Sequence, residues 1–93
     1  MHYLYILYSK SSQKFYIGET NNLEERISKH NTHIYSNSFT KIANDWEIVL
    51  TFNCFNRDEA LYLENFIKRM KSKVFNKKII NDPSILKDIL SKR

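Results

Sequence analysis

The sequence predicts a small α+β domain, a three-stranded antiparallel sheet flanked by helices in the order ββαβαα. Three observations carry that prediction. Two apolar, tyrosine-rich segments, His2 to Tyr8 and Lys14 to Ile17, are separated by the polar stretch Ser9-Lys10-Ser11-Ser12-Gln13 and read as a hairpin. A third strand pattern stands alone at Trp46 to Phe52. Twice, an asparagine is followed three residues later by a glutamate, Asn21 with Glu24 and Asn56 with Glu59, the pattern that starts a helix by satisfying its first amides. With 93 residues the chain buries only about 60–65% of its unfolded surface, so one core is expected, in a single domain over 1–93.

In the hairpin, side chains alternate across each strand. Leu4 and Ile6 with Phe15 and Ile17 make one apolar face, and Tyr3, Tyr5, Lys14, Tyr16 and Gly18 share the other. Gly18 is the only glycine, placed where the second strand hands over to a helix, and it marks a position needing positive φ or a close approach. The first helix runs to about Asn31, anchored by Leu23 and Ile27, with Arg26 and His30 four apart on one edge. Thr32 to Asp45 is polar and reads as a long loop, a feature that is often functional. The second helix spans about Arg57 to Lys71 with a core stripe of Ala60, Leu63, Ile67 and Met70, and Glu64 at the edge of that stripe. Asp82-Pro83 supplies a cap and a first-turn proline for a last helix with Ile85, Leu86, Ile89 and Leu90 inward.

Composition narrows the function. Net charge is +5, but from Lys68 onward nine basic residues face only Asp82 and Asp88, so this segment carries +7. Such a concentration favours polyanions, chiefly phosphate backbones, with a solvated helical face as the plainer reading. No apolar run approaches the ~20 residues of a membrane span. Single Cys54 rules out an intrachain disulfide, and the start at Met1-His2-Tyr3 does not read as a signal peptide, so a cytoplasmic location is expected. His2, His33 and Cys54 lack ligand spacing and are assigned no metal.

Tyr5, Tyr16, Arg26, His30 and Glu64 form the polar set that suits phosphodiester hydrolysis. A carboxylate can hold one hard divalent cation, an arginine matches phosphate oxygens, and a phenol beside a cation can act as base. Each also has a plainer role: the tyrosines as half-buried sheet residues, Arg26 and His30 as surface residues near Glu24 and Glu25, and Glu64 as a partly exposed ion-pair partner.

The order of these residues resembles the GIY-YIG endonuclease family, in its short stand-alone bacterial form. The resemblance rests on Tyr3-Leu4-Tyr5, on Tyr16-Ile17-Gly18, on Asn21-Asn22-Leu23-Glu24-Glu25-Arg26-Ile27 with His30 one turn later, and on Glu59-Ala60-Leu61-Tyr62-Leu63-Glu64. It covers about 2–70, leaving 71–93 as a basic helical segment. The first motif departs from the family in reading Tyr-Leu-Tyr.

The resemblance implies a metal-dependent DNA endonuclease with Mg²⁺ or Mn²⁺ held by Glu64, and with no small-molecule cofactor and no membrane partner. Tyr5 would be the general base and Tyr16 would orient water or substrate. Arg26 would contact the scissile phosphate, His30 would assist proton transfer or positioning, and Gly18 would leave room for substrate. Asn76 and Asn81 both stand as candidates for a later family asparagine. Single-stranded, duplex and branched DNA are all open as substrates. Lys29, Lys41, Lys68, Lys71 and Lys73 would meet phosphates, and Tyr35 and Phe39 could stack on unpaired bases or tuck onto the core. The alternative is a catalytically inactive nucleic-acid-binding module on the same fold.

Overall fold

The computed structural model describes residues 1–31 and 43–93, and of 29–31 the helix alone. The expectations on Lys41, Tyr35, Phe39 and most of the 32–45 loop therefore lie outside the described residues, as do those on the side chains of Lys29 and His30. Within them the order is β1 (His2–Ser9), β2 (Lys14–Thr20), α1 (Leu23–Asn31), β3 (Glu47–Cys54), α2 (Arg57–Met70), α3 (Lys73–Asn81) and α4 (Ser84–Ser91). The sheet is antiparallel in the order β2-β1-β3, as an α+β fold of the expected type. No helix of the described residues is long and apolar enough to cross a membrane.

The central strand determines the layering. Leu4, Tyr5, Ile6 and Leu7 are all at most 1% exposed, so β1 is covered on both faces and not on one. Leu4, Ile6 and Ile17 pack with Ala60, Leu63 and Ile67 of α2 and with Ile79 and Leu86 of the last two helices. On the opposite face Tyr5, Leu7 and Trp46 form a second cluster, closed by Tyr16 and by Leu23 and Ile27 of α1. The tyrosine face is thus itself packed, because a middle strand has no solvent side once α1 crosses it. A register shift between Ile6 and Leu7 against β3 marks a bulge, since Ile6 pairs with Leu50 and Leu7 with Ile48.

Helix boundaries follow capping. At α1 the cap is Asn22, whose side chain accepts from the Glu25 amide at 3.1 Å, one residue later than the Asn21–Glu24 pattern suggests. At α2 the expected pattern holds: Asn56 Oδ1 accepts from the Glu59 amide at 3.0 Å, and Glu59 Oε1 accepts from the Phe55 amide at 2.8 Å. Lys71, at φ 48°, ends α2 in the left-handed region. Met70 is 46% exposed and leaves the core stripe there.

The basic segment holds one helix more than expected. Ser72 accepts from the Phe75 amide at 3.1 Å and starts α3, which buries Asn76 and Ile79. Asp82 does not cap α4 with its carboxylate, which instead takes the Ser84 hydroxyl at 2.5 Å; its carbonyl accepts the Ile85 amide.

Gly18 lies inside β2, directly opposite Tyr5 in the ladder, and has no positive φ. Its need is the close approach. A Cβ there would sit 2.5 Å from Tyr5 Oη and 2.6 Å from Cζ. The Tyr5 ring, 1% exposed, cannot swing clear. Gly18→Ala is therefore expected to lower stability by about 1–3 kcal/mol, read as a fall in denaturation midpoint, and Gly18→Ala/Tyr5→Leu should recover part of it. A single variant as stable as wild type would refute the contact.

A second clamp ties the hairpin turn to β3. Asp45 takes the Ser9 hydroxyl at 2.6 Å, the Ser11 hydroxyl at 2.9 Å and the Ser11 amide at 3.0 Å. The Ser9 hydroxyl, and then the Ser11 amide, hold its carboxyl below the ordinary value. A depressed folded pKa gives stability that is present above the unfolded value of about 4 and is lost as pH falls through the folded one. Asp45→Asn should melt lower than wild type at pH 7, with the gap closing below pH ~4; a gap that widens on acidification would contradict this.

Candidate active site

The site is assembled across the edge strand β2. Tyr5 of β1 and Tyr16 of β2 meet ring to ring, with centroids 6.3 Å apart and planes tilted by 33°. Tyr5 is buried to 1% exposure, with the bare backbone of Gly18 beside its phenol, whereas Tyr16 is only half-buried. Because β2 is an edge, a side chain from the α2 layer can reach the Tyr16 ring. Lys68 does so, its Nζ 5.8 Å from the ring centroid. The same ammonium donates to Glu64 Oε2 at 2.6 Å, one helical turn back. Tyr5, Tyr16, Lys68 and Glu64 thus form one continuous contact chain.

Glu64 is 17% exposed at its side chain, a carboxylate at the edge of an apolar stripe paired with the Lys68 ammonium. Among the described residues no three His, Cys, Asp or Glu side chains cluster as a metal cage. The donor chemistry still fits Mg²⁺ or Mn²⁺, which keep several waters and take one or two protein carboxylates beside substrate phosphate oxygens. Cys54 is buried, and burial pushes its thiol up from the ordinary value.

Arg26 enters from α1. It lines a cavity of about 280 Å³ at the far end of β2, with His2, Glu19, Thr20, Asn21 and Arg57. There Glu19 is held between His2 Nε2 on one oxygen and Arg57 Nε, 3.6 Å from the other. A second groove of about 240 Å³ lies toward the C-terminal end of α2, lined among others by Lys14, Lys68, Lys71, Lys73 and Asn76. Asn76 is 8% exposed and its Oδ1 has no hydrogen-bond partner among the described residues. Asn81, by contrast, is exposed at the end of α3.

The fold therefore brings Tyr5, Tyr16, Gly18, Glu64 and Lys68 together and sets Arg26 at one end of the strand and Lys71 and Lys73 at the other. Sequence reasoning missed the Glu19, His2 and Arg57 group and the part of Lys14 in the second groove. No local spacing signals the first, because His2, Glu19 and Arg57 come from three separate segments of the chain.

The GIY-YIG catalytic domain family matches residues 1–79, a span that takes in every element through most of α3. The chain is also similar to a UPF0213 protein of Oceanobacillus iheyensis, 35% identical over 69 residues that cover 74% of this chain and 78% of that one. No solved structure matches the chain. With the two tyrosine motifs paired on β1 and β2 and a carboxylate helix against their edge, the chain belongs to the GIY-YIG family of nucleases, which act on DNA.

Proposed function

We propose that this chain is a divalent-metal-dependent endonuclease that hydrolyses phosphodiester bonds in DNA. The observation that carries the proposal is Lys68, whose ammonium touches both the Tyr16 ring and the Glu64 carboxylate. That contact supports a single site in which a phenol and a metal-binding carboxylate act on one phosphate.

Glu64 would hold Mg²⁺ or Mn²⁺, which would supply charge to phosphate oxygens when bound. Lys68, displaced from Glu64, would then be available to a phosphate, as would Lys71 and Lys73 along the groove. Arg26 offers its planar donors to the scissile phosphate. A tyrosine phenolate would take a proton from water as the water oxygen attacks phosphorus; the bond from phosphorus to the leaving oxygen breaks, that oxygen takes a proton from solvent, and the phenol gives its own back to solvent. The products are one phosphomonoester and one hydroxyl.

The 1% exposure of Tyr5 supports exchanging the roles that the resemblance implies for the two phenols. A base has to meet the attacking water, and the half-buried Tyr16 is open to it where Tyr5 is not. Tyr16, half-buried beside Lys68, is therefore the proposed base, and Tyr5 positions it. Asn76, with its unpartnered Oδ1 in the Lys68 groove, is the proposed later asparagine.

A second reading, a binding module without cleavage, draws on the same contact: with Lys68 at 2.6 Å, Glu64 already has a partner. Labelled single-stranded, duplex and branched DNA incubated with Mg²⁺, Mn²⁺ or EDTA separates the two. The nuclease reading predicts metal-dependent cleavage that Glu64→Ala abolishes while binding persists. Tyr16→Phe should lose about 10²–10⁴-fold in rate, more than Tyr5→Phe. Binding without cleavage in any metal would favour the module, and full activity in Glu64→Ala would exclude that residue as the metal ligand.

A further inference from the structure

The geometry points to a second phosphate-binding position at the cavity around Arg57, which seats the phosphate next to the scissile one and lays the substrate strand along α2. This inference rests on the nuclease reading above. The cavity of about 280 Å³ is lined by two guanidinium groups, Arg26 and Arg57, with the polar side chains of Thr20 and Asn21. Glu19, the carboxylate in its described lining, does not oppose an anion freely, because both its oxygens are engaged, one by His2 and one by Arg57. Glu19 thus acts as a positioning residue for the arginine.

Stability does not account for Arg57. It occupies the first position of α2, where the helix dipole disfavours a cation, while Asp58 and Glu59 beside it follow the usual preference. Its side chain is 68% exposed and its pairing with Glu19 is long, at 3.6 Å, an arrangement that contributes little to folding. A residue that breaks a local rule without a folding gain points to function.

The charged side chains fall along one line of α2. Arg57 and Glu64 are seven residues apart, within 20° of the same helical face and about 10 Å along the axis. Lys68 lies about 6 Å further on, also on that face. Cations therefore flank the Glu64 carboxylate on both sides along one line, and Arg26 lines the cavity at the Arg57 end.

The test is Arg57→Ala, with Arg57→Lys beside it, in an oligonucleotide set carrying one neutral methylphosphonate at each successive position. Binding is measured in EDTA over a range of salt, and cleavage in Mg²⁺. Arg57→Ala should weaken binding about tenfold and reduce the salt slope by about 0.7–0.9, with a melting temperature close to wild type. Arg57→Lys should restore the salt slope. A methylphosphonate next to the cleaved bond should weaken wild type by a similar factor and Arg57→Ala no further. Wild-type affinity and slope in Arg57→Ala, or losses that add at every methylphosphonate position, would overturn the second position while leaving the nuclease reading intact. Failure of the wild-type protein to bind any nucleic acid would overturn both.

Discussion

The contact on which the structure depends is the Tyr5 ring lying over the bare backbone of Gly18. It occupies the space that any side chain at position 18 would take. The consequence is local and long-range together. Tyr5 stays on the α1 side of the sheet at 1% exposure, completes the cluster with Leu7 and Trp46, and leans its ring toward Tyr16. The two tyrosines of adjacent strands meet because one strand carries no Cβ at the crossing point.

The second constraint is that β2 is an edge strand in a sheet whose middle strand is covered on both faces. A site drawn from both layers can form only around an edge. Tyr16 belongs to the layer of α1 and Glu64 to that of α2, and Lys68 spans the two. The same edge leaves a polar cavity at one end, around Arg26 and Arg57, and a basic groove at the other, around Lys71, Lys73 and Asn76. Charge is thus laid out along β2 and α2, and the +7 segment from Lys68 onward supplies one end of it.

Much of this was legible in the chain. Alternation separated Leu4, Ile6, Phe15 and Ile17 from the tyrosines, and the Asn56–Glu59 pattern gave the start of α2 to the residue. Burial of the tyrosine face was not legible, because alternation assigns side chains to faces without saying how many layers cover them. α3 escaped because its cap, Ser72, follows α2 after a single left-handed residue, so the two helices read as one basic stretch. Of the two reasons that a lone glycine offers, positive φ and close approach, Gly18 meets the second, and the neighbour that approaches is the Tyr5 ring. Glu64 stands at the edge of the buried Ala60, Leu63 and Ile67 stripe, as helical spacing implies. The Glu19, His2 and Arg57 group was missed, since it joins three distant segments that only the hairpin register and the β3 to α2 turn bring together.

Glu64 is proposed to hold a divalent cation beside Tyr16, in the place that the Lys68 ammonium takes in this structure. Mn²⁺ binding followed by electron paramagnetic resonance tests it without turnover. One Mn²⁺ site is expected in wild type, with its loss in Glu64→Ala and tighter binding in Lys68→Ala, where the competing ammonium is gone. Equal Mn²⁺ affinity in wild type and Glu64→Ala would contradict it.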